Sequence, residues 1–273
     1  MSDADVIRLL LVGAGVVAAG LLWLRARARR RARRVAEPFS AEWRALLASS
    51  LPLYSRMPAS LRAKLEPLAR TFLRDVRFVG CNGLELTDEM RLVVATQACL
   101  LVVANDPHAY RDLMSVLIYP EEFVVNRTDE DEAGVVTEFE DVLSGESIDT
   151  ARIVLSWQDV KEPPADGEIC NVVLHEFAHY LDNSVAGAFT DLDGRNEALE
   201  DWHDVLESEF NAHCEAVELG EETLVNPQGA EHPAEFFAYA TEAFFEAPAQ
   251  MQRLHPLLYG GLKRAYGLDP ASW

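Results

Sequence analysis

Two histidines four residues apart with a glutamate beside the first, in His175-Glu176-Phe177-Ala178-His179, are the side chains of this sequence best suited to do chemistry. They lie in the stretch Asn171 to Asn183, where Val172, Val173, Phe177, Ala178 and Leu181 recur at helical spacing, which predicts a half-buried α-helix. Residues i and i+4 of a helix share one face about one turn apart, so both imidazoles can reach a single metal ion. Glu176 cannot reach the same coordination position, but it can hydrogen-bond a water at the metal and act as general base. A core helix that merely carries two polar histidines is the competing reading, and a third ligand separates the two.

The five residues match the His-Glu-x-x-His pattern of zinc peptidases, which requires a distant third ligand. Two carboxylates compete for that place. Glu197 lies in Asn196-Glu197-Ala198-Leu199-Glu200-Asp201, which resembles the Asn-Glu-x-x-x-Asp helix of thermolysin-like enzymes. Glu235 lies in His232-Pro233-Ala234-Glu235-Phe236-Phe237, where Pro233 suits a helix start and puts Glu235 in the first turn. Glu242 and Glu246 fall on the same helix, and spacing alone leaves the choice open.

The elements that must position these groups come from a chain of 273 residues, enough for one substantial core. The net charge is -21 and unevenly spread. Arg8 and seven arginines between Arg25 and Arg34 face only Asp3 and Asp5, so the remainder carries 16 of the 24 basic and 43 of the 45 acidic residues. So acidic a body is repelled by phosphate backbones, which excludes direct nucleic-acid binding. Cys81, Cys99, Cys170 and Cys214 form no Cys-x-x-Cys pair and read as reduced thiols.

Leu9 to Leu24 is unbroken and apolar. Counted from Val6 it makes a helix about 28 Å long, close to the roughly 30 Å of a hydrocarbon core. Arginines replace the small-residue cleavage site of a signal peptide, so an N-terminal transmembrane anchor is expected over residues 1–36, ahead of one domain over 37–273. The dense arginines stay cytoplasmic, which predicts a single-pass protein of the inner (cytoplasmic) membrane with its domain in the cytoplasm.

Within the domain, a helix is expected around Trp43 to Leu47, and Pro58 and Ser60 open a longer one through Leu73. Asn82-Gly83 marks a turn, and Thr87 caps a nearly all-apolar helix that belongs at the centre. Strands are expected at Val116–Tyr119, Glu122–Val125, Val135–Leu143 and Ile153–Trp157, with a turn at Ser144-Gly145-Glu146 and a solvated loop at Asp129–Glu132. The Ile153–Trp157 strand, close before the metal helix, is a candidate edge for aligning an extended peptide.

Pro233-Ala234-Glu235-Phe236-Phe237-Ala238, followed by Thr241-Glu242-Ala243-Phe244-Phe245-Glu246-Ala247-Pro248, resembles the signature of the Mlc titration factor A family of zinc peptidases, which pairs it with His-Glu-Phe-Ala-His-x-Leu-Asp. Leu86–Arg91 with Gln97–Leu100, Tyr119–Val125 and Val154–Val160 are similar to family blocks in the same order. The resemblance covers about Pro38 to Leu258. It implies an α+β, gluzincin-like fold, mostly helical around a small sheet, and a Zn2+ site of His175, His179 and Glu235 with Glu176 as catalytic base. It moves Glu197 out of the site. The family carries a tyrosine a few residues before Pro-Ala-Glu that stabilises the oxyanion, and the matching segment Asn226–Ala230 here has none. Tyr239, one turn after Glu235, is the substitute to test, with packing as its simpler role.

A site of two histidines and one glutamate leaves one tetrahedral position of zinc open, the mark of a catalytic rather than structural centre. Asp182, on the same face as both histidines, is a candidate to orient one of them. Three readings stand against each other, the second of them implied by the resemblance. The first is a membrane-tethered peptidase acting on a peptide or protein substrate. The second is a regulatory protein that captures a transcriptional repressor of the Mlc type. The third is a zinc-stabilised protein without turnover.

Overall fold

The structure, a computed structural model, describes residues 39–121, 123–130, 136–143, 145–149, 151–162, 169–184 and 200–273, and only the backbone of those within 123–149 and of 183, 184, 200 and 201. The expected membrane span lies outside the described residues. Among the described residues no helix is long and apolar enough to cross a membrane. The chain divides into Met1–Ser40 and Ala41–Trp273, and the elements below belong to the second.

Helices α1 (Ala41–Ser50), α2 (Pro52–Arg56) and α3 (Ala59–Asp75) lead into strand β1 (Arg77–Gly80) and helix α4 (Asp88–Leu100). Strands β2 (Ser115–Tyr119), β3 (Phe123–Glu130), β4 (Val136–Leu143), β5 (Gly145–Asp149) and β6 (Arg152–Ser156) follow. The rest is helical: α5 (Trp157–Lys161), α6 (Val172–Ser184), α7 (Glu200–Glu218), a 3-10 turn at Pro227–Ala230, then α8 (Pro233–Glu246), α9 (Pro248–Leu254) and α10 (Pro256–Tyr266). The fold is α+β and mostly helical, in line with the sequence expectation.

Thr87 begins α4 as expected, its hydroxyl accepting from the Met90 amide at 3.2 Å, with Asp88 and Glu89 in the first turn beside the positive end of the helix. Leu92 to Leu100 are buried without interruption, since a helix apolar on every side satisfies its surface only when surrounded. Asn82 and Gly83 both take positive φ, 50° and 80°, which makes the expected turn after β1.

The sheet has the order β1-β2-β6-β5, with β1, β2 and β6 parallel and β5 antiparallel to β6. Strands β3 and β4 form a separate antiparallel pair from Phe123 opposite Leu143 to Glu130 opposite Val136. Several expectations need correction. Arg77–Gly80 is a strand the alternation rule passes over, because four residues carry too short a pattern. Gly145 and Glu146 are not a turn but the start of β5, and Asp129 and Glu130 end β3 instead of lying in a loop. Strand β6 is no edge: it is paired on both sides by β2 and β5, so among the described residues the edge on that side belongs to β5. Trp157 leaves the strand and starts α5, capped by the Ser156 hydroxyl.

Helix α6 packs against β5, β6, α4 and α8. Its apolar side is held by an aromatic cluster in which the Phe177 ring meets Tyr110 at 5.3 Å and Phe72 at 5.8 Å, and Tyr180 meets Tyr110 at 5.6 Å. Fixing that side fixes the rotation of the helix, and the side carrying His175 and His179 turns toward α8.

Candidate metal centre

Asn171 starts α6, its side-chain oxygen accepting from the Leu174 amide at 3.2 Å. Its Nδ2 donates to Gln97 Oε1 on α4 at 2.6 Å and to Glu246 Oε1 on α8 at 2.7 Å, so one asparagine joins three helices. Pro233 occupies the first turn of α8, where its missing amide costs nothing, and His232 Nδ1 accepts from the Ala234 amide. Glu235 therefore emerges from the first turn of α8, facing one turn of α6.

Among the described residues, His175, His179 and Glu235 are the group whose ligand atoms converge, all within 4.8 Å of one another. His175 Nε2 stands 3.1 Å from His179 Nε2 and 3.3 Å from Glu235 Oε2, and His179 Nε2 is 3.2 Å from Glu235 Oε1. Ligand atoms bound tetrahedrally to one zinc at 2.0–2.1 Å stand roughly 3.3 Å apart, so the donor set fits that ion in type and spacing. Of the two carboxylates left open by spacing, Glu235 is in the cluster, and Glu197 lies outside the described residues.

Glu176 is 5% exposed on the neighbouring position of α6. Burial raises its carboxyl to about 7, against the pull of His175 and His179. Burial by itself would lower His175, but hydrogen bonds to Glu235 and Glu242 outweigh it and its pKa rises. Hydrogen bonds from both histidines hold the Glu235 carboxyl far below the ordinary range. The cluster thus draws positive charge, which is what a cation site requires.

Sequence reasoning missed Glu242 as a partner of the site. It is 1% exposed, and its Oε1 accepts from His175 Nδ1 at 2.8 Å. The signal was present: Glu242 follows Glu235 by seven residues, two turns along one helix face. Asp182, read as the orienting carboxylate, is half-buried and near enough to His179 and His232 to feel their charge, though burial still raises its carboxyl. Gln97 had no such signal, since its role depends on α4 lying beside Asn171. The Tyr239 ring packs edge-on against His175 at 4.5 Å, and its hydroxyl donates to Gln228 Oε1 at 2.6 Å. His213 Nε2 meets the Asn226 carbonyl at 3.1 Å, and His255 Nδ1 meets Glu209 at 2.8 Å.

Taken together, a mostly helical α+β domain and a two-helix cluster of two histidines and one glutamate define the class of metallopeptidase-like proteins. The chain belongs to the glucose-regulated metallo-peptidase M90 family, whose sequence pattern matches residues 24–267. It is 37% identical to an uncharacterized protein of Synechocystis sp. over 239 residues, 85% of this chain and 86% of that protein. It is 34% identical to Mlc titration factor A of Pectobacterium atrosepticum, over 84% of this chain and 87% of the relative. Mlc titration factor A of Serratia proteamaculans is 32% identical, over 85% and 88%. The family implies a metal, and the cluster is where these residues would hold it.

Proposed function

We propose that this chain is a zinc-dependent peptidase whose metal is held by His175 Nε2, His179 Nε2 and one Glu235 oxygen. The observation that carries the reading is the approach of those atoms to 3.1–3.3 Å with Glu176 buried alongside. Bound there, zinc supplies Lewis acidity, acidifying a water and polarising the carbonyl to be attacked. Glu176 takes the proton of the attacking water on its carboxylate and returns it to the leaving amine. In the metal-free chain burial raises this carboxyl above its ordinary value, the direction that makes it a stronger base. The edge of β5 offers backbone groups to an extended peptide, in the place the sequence reading gave to β6.

The test is metal content of the purified full-length chain together with cleavage of unstructured peptides. Stoichiometric zinc with chelator-sensitive hydrolysis supports the peptidase, and a metal-free active protein rejects it.

A second reading is favoured by the relatives named Mlc titration factor A. In it the domain captures a transcriptional repressor of the Mlc type, and hydrolysis is secondary. Binding of such a repressor that persists in Glu176→Gln, with no peptide cleavage by the wild type, supports this reading over the first.

The apolar run Leu9–Leu24 and the arginines after it support a tether that holds the domain on the cytoplasmic side of the membrane. Fractionation of cells and protease accessibility of the domain from either side test it. Recovery in the soluble fraction overturns the tether and leaves the peptidase assignment untouched.

A further inference from the structure

We infer that Glu242 is a positioning residue that sets the tautomer of His175, an inference that rests on His175, His179 and Glu235 being metal ligands. Both oxygens of its carboxylate are committed. Oε1 accepts from His175 Nδ1 at 2.8 Å, and Oε2 accepts from the Asn171 backbone amide. At 1% exposure neither oxygen can exchange its partner for water. Asn171 is itself immobilised by Gln97, Glu246 and the Leu174 amide. The carboxylate is therefore clamped between the start of α6 and the middle of α8.

A neutral imidazole carries one proton. With that proton on Nδ1 and donated to Glu242, Nε2 keeps its lone pair and aims it at the space shared with His179 Nε2 and Glu235. The requirement is for a carboxylate and not merely for a polar group of the same shape. A carboxamide at position 242 has one acceptor end and one donor end. With its oxygen toward His175, its NH2 confronts the Asn171 N–H. With its oxygen toward Asn171, its NH2 faces Nδ1 and favours the opposite tautomer, which puts an N–H where the metal belongs. The first arrangement leaves two buried donors facing each other, and the second avoids that only by turning His175 to the tautomer that cannot offer Nε2 to a metal.

The experiment compares the full-length wild type with Glu242→Gln and Glu246→Gln. Zinc affinity is measured by chelator competition, histidine tautomers by long-range 15N–1H NMR, and stability by thermal unfolding of the metal-free chains. Loss of an outer-shell partner of a ligand histidine typically weakens metal affinity about 10–100-fold, and that loss is expected for Glu242→Gln together with departure of the proton from His175 Nδ1. Glu246→Gln keeps an oxygen to accept from Asn171 Nδ2 and does not touch His175, so it is expected to bind zinc as the wild type does. Equal weakening in both variants, or wild-type affinity in Glu242→Gln, overturns the inference by reducing Glu242 to general structural support. Should Glu242→Gln fail to fold, the wild-type spectrum still decides: a proton on His175 Nε2 instead of Nδ1 in the zinc-loaded chain refutes it. A wild-type chain that holds no zinc overturns the metal-centre reading, and with it this inference, whereas zinc binding with the proton on His175 Nε2 overturns the inference alone.

Discussion

The hydroxyl of Tyr239 is spent on Gln228, whose Oε1 accepts it at 2.6 Å, while the Tyr239 ring lies edge-on to His175 with centroids 4.5 Å apart. Gln228 stands in Asn226–Ala230, the segment that the resemblance matches to the family's tyrosine. Packing accounts for Tyr239 without a role in the reaction. Tyr239→Phe keeps the ring and removes only the hydroxyl, and kcat/KM on a peptide substrate is expected to fall less than about tenfold, whereas losing an oxyanion donor costs roughly 10²–10³-fold. A loss in the larger range assigns Tyr239 to the transition state.

Glu176→Gln keeps the size of the side chain and removes its basicity. Since Glu176 is not among the three converging ligand atoms, zinc content is expected to stay at the wild-type level. General-base catalysis contributes about 10²–10⁴-fold, and kcat is expected to fall by that much. Single-turnover cleavage with parallel metal quantification reads both quantities.

Glu235→Ala removes the one ligand that α8 supplies. For the wild type, zinc at 100 times its dissociation constant adds about 2.7 kcal/mol of stability, which for a chain of this size is a rise of roughly 5–10 °C in the unfolding midpoint. The variant is expected to show little of that rise at the same zinc concentration. Scanning fluorimetry across a zinc titration measures it, and an unchanged rise in the variant removes Glu235 from the site.

Far from the metal helices, Glu66 on α3 accepts from Arg44 Nε and Nη2 at 2.9 and 2.6 Å and from the Tyr54 hydroxyl at 2.8 Å. Burial alone would raise its carboxyl, but the hydrogen bonds from Arg44 and Tyr54 outweigh it and its pKa lies below the ordinary 4.5. A folded-state pKa below the unfolded one means stability that is present above pH 4.5 and is lost as pH falls through the lower folded value. The gap in unfolding midpoint between wild type and Glu66→Gln is therefore expected to hold above pH 4.5 and to narrow as pH falls below it. A gap that stays constant as pH falls denies Glu66 its ionised role.

Gly261 on α10 lies against Trp202 of α7, and a Cβ there would stand 2.0 Å from the ring. Trp202 is 1% exposed and has no room to retreat. Overpacking of this kind costs typically 1–3 kcal/mol, so Gly261→Ala is expected to destabilise the metal-free fold by about that amount or more. Denaturant unfolding checks it, and a neutral result means that α7 and α10 can slide apart.

What the sequence by itself determined is what neighbours along the chain decide. The His175 and His179 pair, the Thr87 cap, the Asn82-Gly83 turn and the Pro233 start that delivers Glu235 each depend on contacts within about two helical turns, and periodicity and capping chemistry are local. Local rules failed where strand pairing is long-range: nothing near Gly145 says that β5 will cover β6, or that Arg77–Gly80 will pair with β2. Tertiary structure alone decided which carboxylate holds His175, because Glu242 reaches it across 67 residues, and which residues anchor Asn171, because Gln97 and Glu246 arrive from 74 and 75 residues away. The proton affinity of Glu176 was also a tertiary matter, since no sequence neighbour can remove it from water; only the packing of α4, α8 and the sheet around α6 does that.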